Sequence, residues 1–158
     1  MFQVIRFVQK GGLAVIVTTK GFFWHVHHTV LIEWCYDYNE RAQYIRTEKP
    51  KDEQGIRLRL FQPVKGNLPQ EVIEARQAEY SAGQACDKAW QAYDEACRVC
   101  NSVGEIKKTR FAYLEAQRVP VKAGQAYFEA LDKHMPAIQA LHEAECPDCP
   151  WNGHTIFP

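Results

Sequence analysis

The chain has 158 residues, 46% of them hydrophobic and 24% charged, and its 19 Lys and Arg balance its 19 Asp and Glu. That apolar content is enough for a globular core and argues against intrinsic disorder. A formal net charge of zero removes both the positive field that drives generic phosphate binding and the acidic excess of a nucleic-acid mimic. No apolar run approaches the roughly 20 residues of a membrane span. The start, Met1-Phe2-Gln3-Val4-Ile5-Arg6, lacks the basic and apolar regions of a secretion signal, so a soluble cytoplasmic protein without membrane contact is expected. In a reducing compartment its six cysteines point to thiols or metal ligands rather than to a disulfide framework.

The expected fold is α+β. A small N-terminal antiparallel β-sheet with one helix occupies residues 1–66, and a long C-terminal helical hairpin of two or three helices with a Cys-rich tail occupies 67–158, the two forming one continuous unit. Residues 2–8 and 13–18 are short and rich in β-branched side chains, and the Gln9-Lys10-Gly11-Gly12 connection makes them a β-hairpin. Residues 22–28 read as a third strand, with Phe22, Trp24, Val26 and His28 on one side and Phe23, His25 and His27 on the other. Two readings follow. Leu31, Trp34, Cys35, Tyr38, Ala42 and Ile45 have helical spacing from Thr29 onward. Alternatively residues 30–32 stay extended and a helix begins at Asp37, where Asp37 and Glu40 have capping-box spacing. Residues 56–60 alternate like a half-buried fourth strand with Arg57 and Arg59 outward.

Beyond Gln62-Pro63-Val64-Lys65-Gly66 the composition shifts to Ala, Glu, Gln and Lys, with Pro69 in a helical first turn. Cys86, Trp90, Tyr93, Cys97 and Cys100 recur at alternating spacings of four and three, the seam of an antiparallel helix pair with Trp90 as a buried anchor. A second helical segment covers 105–117, Val119-Pro120 breaks or kinks it, and a third covers 121–144, which Pro136 bends or restarts.

The sharpest chemistry lies in two Cys-x-x-Cys pairs, Cys97 with Cys100 and Cys146 with Cys149, which can give four thiolates to one tetrahedral zinc. Prolines around Cys146 and Cys149 stiffen a turn that aims both sulfurs at one point. Helical rise decides whether the pairs meet. A reversal at Pro120 leaves them only about 5 to 9 Å out of axial register, whereas a reversal at 101–104 and an unbroken helix to Ala144 separates them by roughly 60 Å and forbids a shared metal. A reversal at both places makes the first and third helices parallel and again brings the pairs near one another, so Pro120 favours the meeting geometries. A local alternative uses His142 or His154 with Cys146 and Cys149. The bland alternative makes the cysteines buried hydrophobes, and a thioredoxin-like redox role lacks its βαβ context. His25, His27 and His28 are read as strand-edge structure rather than ligands.

Trp34, Tyr38, Arg41 and Arg46 mix aromatic and basic groups suited to stacking and phosphate contact, and Trp151 and Phe157 leave large apolar groups in the tail. Since no phosphate loop, nucleophile elbow or carboxylate pair is present, the expectation is a non-enzymatic module with a zinc-stapled arm that binds another protein. The alternatives are a nucleic-acid-binding accessory protein, using the zinc knuckle with Arg41, Arg46, Lys49, Arg57 and Arg59, and a metal or redox enzyme.

Overall fold

The computed structural model describes residues 7–10, 13–16, 20–99 and 102–157. Strand β1 (Phe7–Lys10) pairs antiparallel with β2 (Leu13–Ile16), Phe7 opposite Ile16 and Lys10 opposite Leu13, so the N-terminal hairpin forms as expected. Residues 2–6 and 17–18 of the expected strands lie outside the described residues.

Strand β3 (Gly21–Trp24) is shorter than expected because His25 takes φ +51°, a left-handed conformation that ends an extended run. The chain turns through residues 25–31 and returns as β4 (Ile32–Cys35), with Trp24 opposite Ile32 and Gly21 opposite Cys35. The helical reading from Thr29 therefore fails. The second reading is right about the helix start at Asp37 but not about residues 30–32, which do not continue β3 but lead into the returning strand β4. Helix α1 (Tyr38–Glu48) is capped by Asp37, whose carboxylate accepts the Asn39 and Glu40 backbone N–H at 2.8 and 3.1 Å, two of the donors that a helix start leaves unpaired.

The expected strand at 56–60 is instead the end of helix α2 (Lys51–Leu60). Asp52 and Glu53 sit in its first turn, where acids favour a helix. Arg57 and Leu60, three apart, are its buried pair. Arg57 therefore points inward: Glu53 accepts from its Nε and Nη2 at 2.9 and 2.6 Å, and its guanidinium lies 4.9 Å from the Phe157 ring centre. Residues 62–64 then run along β3, bonded at Trp24 N to Gln62 O and Val64 N to Phe22 O. The core gathers Phe23, Val26, Cys35, Ala42, Ile45 and Phe61, with Tyr38 stacked on Phe23 and Phe61.

Two compact units result, residues 1–66 with 141–158, and residues 67–140. The second unit is a helical hairpin of α3 (Gln70–Arg98) and most of α4 (Val103–Glu145). Its buried positions are Val72, Arg76, Ala82 and Ala96 on α3 and Tyr127, Ala130, Leu131 and Ile138 on α4. Trp90 is 46% exposed and Cys97 is exposed, so the expected seam is turned: buried alanines at 82 and 96 let the helices approach, and Trp90 lies over Tyr113 at the margin, ring centres 5.1 Å apart. Neither proline reverses the chain, for α4 runs without a break through Pro120 and Pro136. Each proline deprives one carbonyl of its partner, at Ala116 and Asp132, yet the Ala-, Glu- and Gln-rich sequence on either side has enough helix propensity and packing to carry the helix through. At 43 residues, α4 is about 65 Å long. No helix among the described residues is long and apolar enough to cross a membrane.

Candidate metal centre

The end of β3, the end of α4 and the tail meet inside the first unit. His25 follows β3 directly and its backbone N–H donates to Leu31 O at 3.1 Å, so the turn that ends the strand also fixes the imidazole. His142 is in the last turn of α4. Cys146 continues that turn, its N–H bonded to His142 O at 2.7 Å, and Cys149 folds back with its N–H on Cys146 O at 3.0 Å. The Glu145 carboxylate locks the helix end in place, accepting from Trp24 Nε1 at 2.9 Å and from the Lys65 and Gly66 backbone.

The result is a cluster of lone-pair donors drawn from distant parts of the chain. His25 Nε2 lies 3.0 Å from His142 Nε2 and 3.2 Å from Cys149 Sγ. His25, His142 and Cys149 all offer ligand atoms within 4.8 Å of one another and can hold a metal ion. Both imidazoles are buried, at 2% and 5% exposure. Burial, and then the neighbouring His142, push His25 down to about 4, and burial lowers His142 as well. Both rings are therefore neutral near pH 7 and keep a lone pair for a metal. Burial first, and then Cys149 and Glu145, push the Cys146 thiol up to about 11, and burial raises Cys149. Trp24 packs edge-on to His142 and Trp151 covers His25, with ring centres 5.1 and 5.2 Å apart.

The ligand candidates read from the sequence fare unequally. Cys149 and His142 are in the cluster, and Cys146 flanks it. His154 is exposed and is not among the converging groups. Cys97 belongs to the second unit, Cys100 lies outside the described residues, and the unbroken α4 is the arrangement for which a shared four-thiolate metal was not expected. The expectation that rested on a reversal at Pro120 is corrected on that ground. His25 is not among the ligands expected from the sequence, because three nearby histidines on an aromatic strand resemble surface structure. Its neighbours do fit that reading, since His27 pairs with Glu33 at 2.6 Å in the open and His28 faces Thr155 and Phe157.

The expected binding residues are mostly engaged within the fold. Arg41 Nε and Nη2 donate to Val26 O at 3.0 and 2.7 Å, and Tyr38 belongs to the aromatic stack. Trp34 packs edge-on to Phe22. Trp151 and Phe157 fold back onto His25, His28 and Arg57, and Arg46 is exposed. Comparison with protein-family models, curated proteins and solved structures found no match to this chain.

Proposed function

We propose that this protein is a non-enzymatic protein-interaction module whose first unit is held together by one structural zinc, with His25, His142, Cys146 and Cys149 as its ligands. The observation that carries this reading is the convergence of His25, His142 and Cys149 across sequence separations of 117 and 124 residues, in a buried place where two neutral imidazoles otherwise point their nitrogens at each other. A cation between them would take the lone pairs that an Nε2–H···Nε2 hydrogen bond otherwise shares, and would draw in the Cys149 sulfur as well. Tetrahedral zinc at ordinary bond lengths spaces two nitrogens about 3.3 Å apart and a nitrogen and a sulfur about 3.6 Å apart, close to the 3.0 and 3.2 Å observed.

Cys146 is the natural fourth ligand, one helical turn after His142 and near enough to Cys149 that Cys149 adds to the cost of ionising the Cys146 thiol. Two thiolates also neutralise the dication, which suits a site walled by Trp24 and Trp151 better than a charged cluster does. Metal binding displaces the thiol protons that burial otherwise retains. Four protein ligands close the coordination sphere, and a closed sphere is structural rather than catalytic. The zinc then fixes the end of α4 and the tail to the β3–β4 hairpin, a staple suited to a unit whose described strands are four residues long.

Cobalt substitution tests the coordination. Co(II) in place of zinc is expected to give strong visible absorption bands of tetrahedral geometry together with thiolate-to-cobalt charge transfer, and the charge-transfer intensity falls by about half in Cys146→Ser if both thiolates are ligands. Weak bands of five- or six-coordinate cobalt, unchanged in Cys146→Ser, contradict the closed site and point to an open, potentially catalytic position.

A further inference from the structure

Helix α4 buries one face through Tyr127, Ala130, Leu131 and Ile138, while Phe111, Leu114, Val121 and Phe128 are 66%, 45%, 72% and 64% exposed. With Arg118 and Gln125 between them, positions 111, 114, 118, 121, 125 and 128 alternate by three and four, the spacing of a coiled-coil seam. The seam is polar at its ends in a particular sense. Lys107 and Arg110 lie at the N-terminal end, Glu129 and Asp132 at the C-terminal end, all exposed, with Glu129 accepting from Gln125 at 2.9 Å.

We propose that this seam joins two copies of the chain as an antiparallel α4–α4 pair, with the twofold axis passing beside Val119-Pro120. Such an axis sets Phe111 against Phe128 of the second copy, Leu114 against Gln125 and Arg118 against Val121. The same axis brings Lys107 opposite Asp132 and Arg110 opposite Glu129, twice each, as a self-complementary interface requires. A parallel pair instead stacks Lys107 and Arg110 on themselves. The self-matching charge order is what selects a second copy as the occupant over an unrelated acidic helix, because a foreign partner places no demand on where the acids of α4 lie. The proposal rests on the interaction-module reading and not on the zinc.

Two charge-reversal variants decide it: Lys107→Glu with Arg110→Glu, and Glu129→Lys with Asp132→Lys. All four positions are exposed, so helicity by circular dichroism and bound zinc are expected to stay at wild-type levels. Sedimentation of the full chain at up to about 0.1 mM is expected to show a wild-type dimer, at least about tenfold weaker self-association in each variant alone, and recovery of the dimer when the two variants are mixed. A monomeric wild type that retains its metal overturns the dimer while leaving the module reading in place. A dimer that ignores both variants, or a mixture that does not recover, also overturns it.

Discussion

The two units of this chain are stabilised by different means. The helical unit spreads its buried positions along its length, with Val72, Arg76, Ala82 and Ala96 on α3 and Tyr127, Ala130, Leu131 and Ile138 on α4, and Glu71 bonds both Lys133 and His134. Its stability is spread over many positions, so a single exposed side chain counts for little. The first unit has short strands, one aromatic stack and a cluster of two buried histidines and a half-buried thiol, so a few residues carry most of it. The lesson is that a long regular element can dispense with any one contact, whereas a small mixed unit concentrates its free energy in a handful of them.

If the proposed zinc is bound, the largest effect should come from withdrawing it. A strong chelator, or Cys149→Ser, is expected to unfold the first unit and shift Trp24 and Trp151 emission to the red while most helical circular dichroism persists, since structural zinc contributes about 10 kcal/mol or more to small domains. Loss of helicity in parallel with the tryptophan shift would erase the contrast between the units. Next comes Phe61→Ala, which opens the stack with Phe23 and Tyr38 and should cost about 3 to 5 kcal/mol in urea unfolding. In the hairpin, Ala96→Leu forces extra volume into the buried approach of the helices and should cost about 1 to 3 kcal/mol, whereas Trp90→Ala, at a half-exposed site, should cost less than about 1 kcal/mol. The reverse order would restore Trp90 as the anchor of the seam.

The effect that is smallest at neutral pH concerns acidity. Burial raises the Cys35 thiol from 9.0 to about 11. The folded state thus holds a proton that the unfolded state has already released, so stability is complete below pH 9 and declines as pH rises from 9 to about 11. Cys35→Ala should flatten that decline in urea titrations across this range. At neutral pH the buried Cys35 should resist alkylation while the exposed Cys97 reacts.

Much of the architecture was legible because it depends on local pattern. Glycines at 11 and 12 between β-branched runs mark the first hairpin, Asp37 with Glu40 marks a helix start, and the change in composition after Gly66 marks the helical half. Residues 56–60 misled because Ile56-Arg57-Leu58-Arg59-Leu60 satisfies a period of two while Arg57 and Leu60 also share a helical face, and only the Glu53 and Phe157 partners of Arg57, one of them a hundred residues away, settle which face is inside. The prolines misled for a related reason: a local penalty at Pro120 and Pro136 is outweighed by the packing and propensity of the whole helix. For the candidate site, His142-x-x-x-Cys146-x-x-Cys149 was visible as a local ligand set. His25 was not, since its role depends on a left-handed turn and on the return of a segment 117 residues later. A histidine flanked on both sides by large apolar residues, Trp24 and Val26, where His27 has Val26 on one side and His28 on the other, is the faint signal that sets it apart from His27.

The central claim is that His25, and not Cys97, shares a metal with the tail. Zinc per chain, measured by elemental analysis on the purified untagged protein and on His25→Ala, Cys97→Ser and His154→Ala, tests it directly. The account predicts one zinc in the wild type, in Cys97→Ser and in His154→Ala, and loss of most of it in His25→Ala. Zinc retained in His25→Ala, or lost in Cys97→Ser, would contradict it.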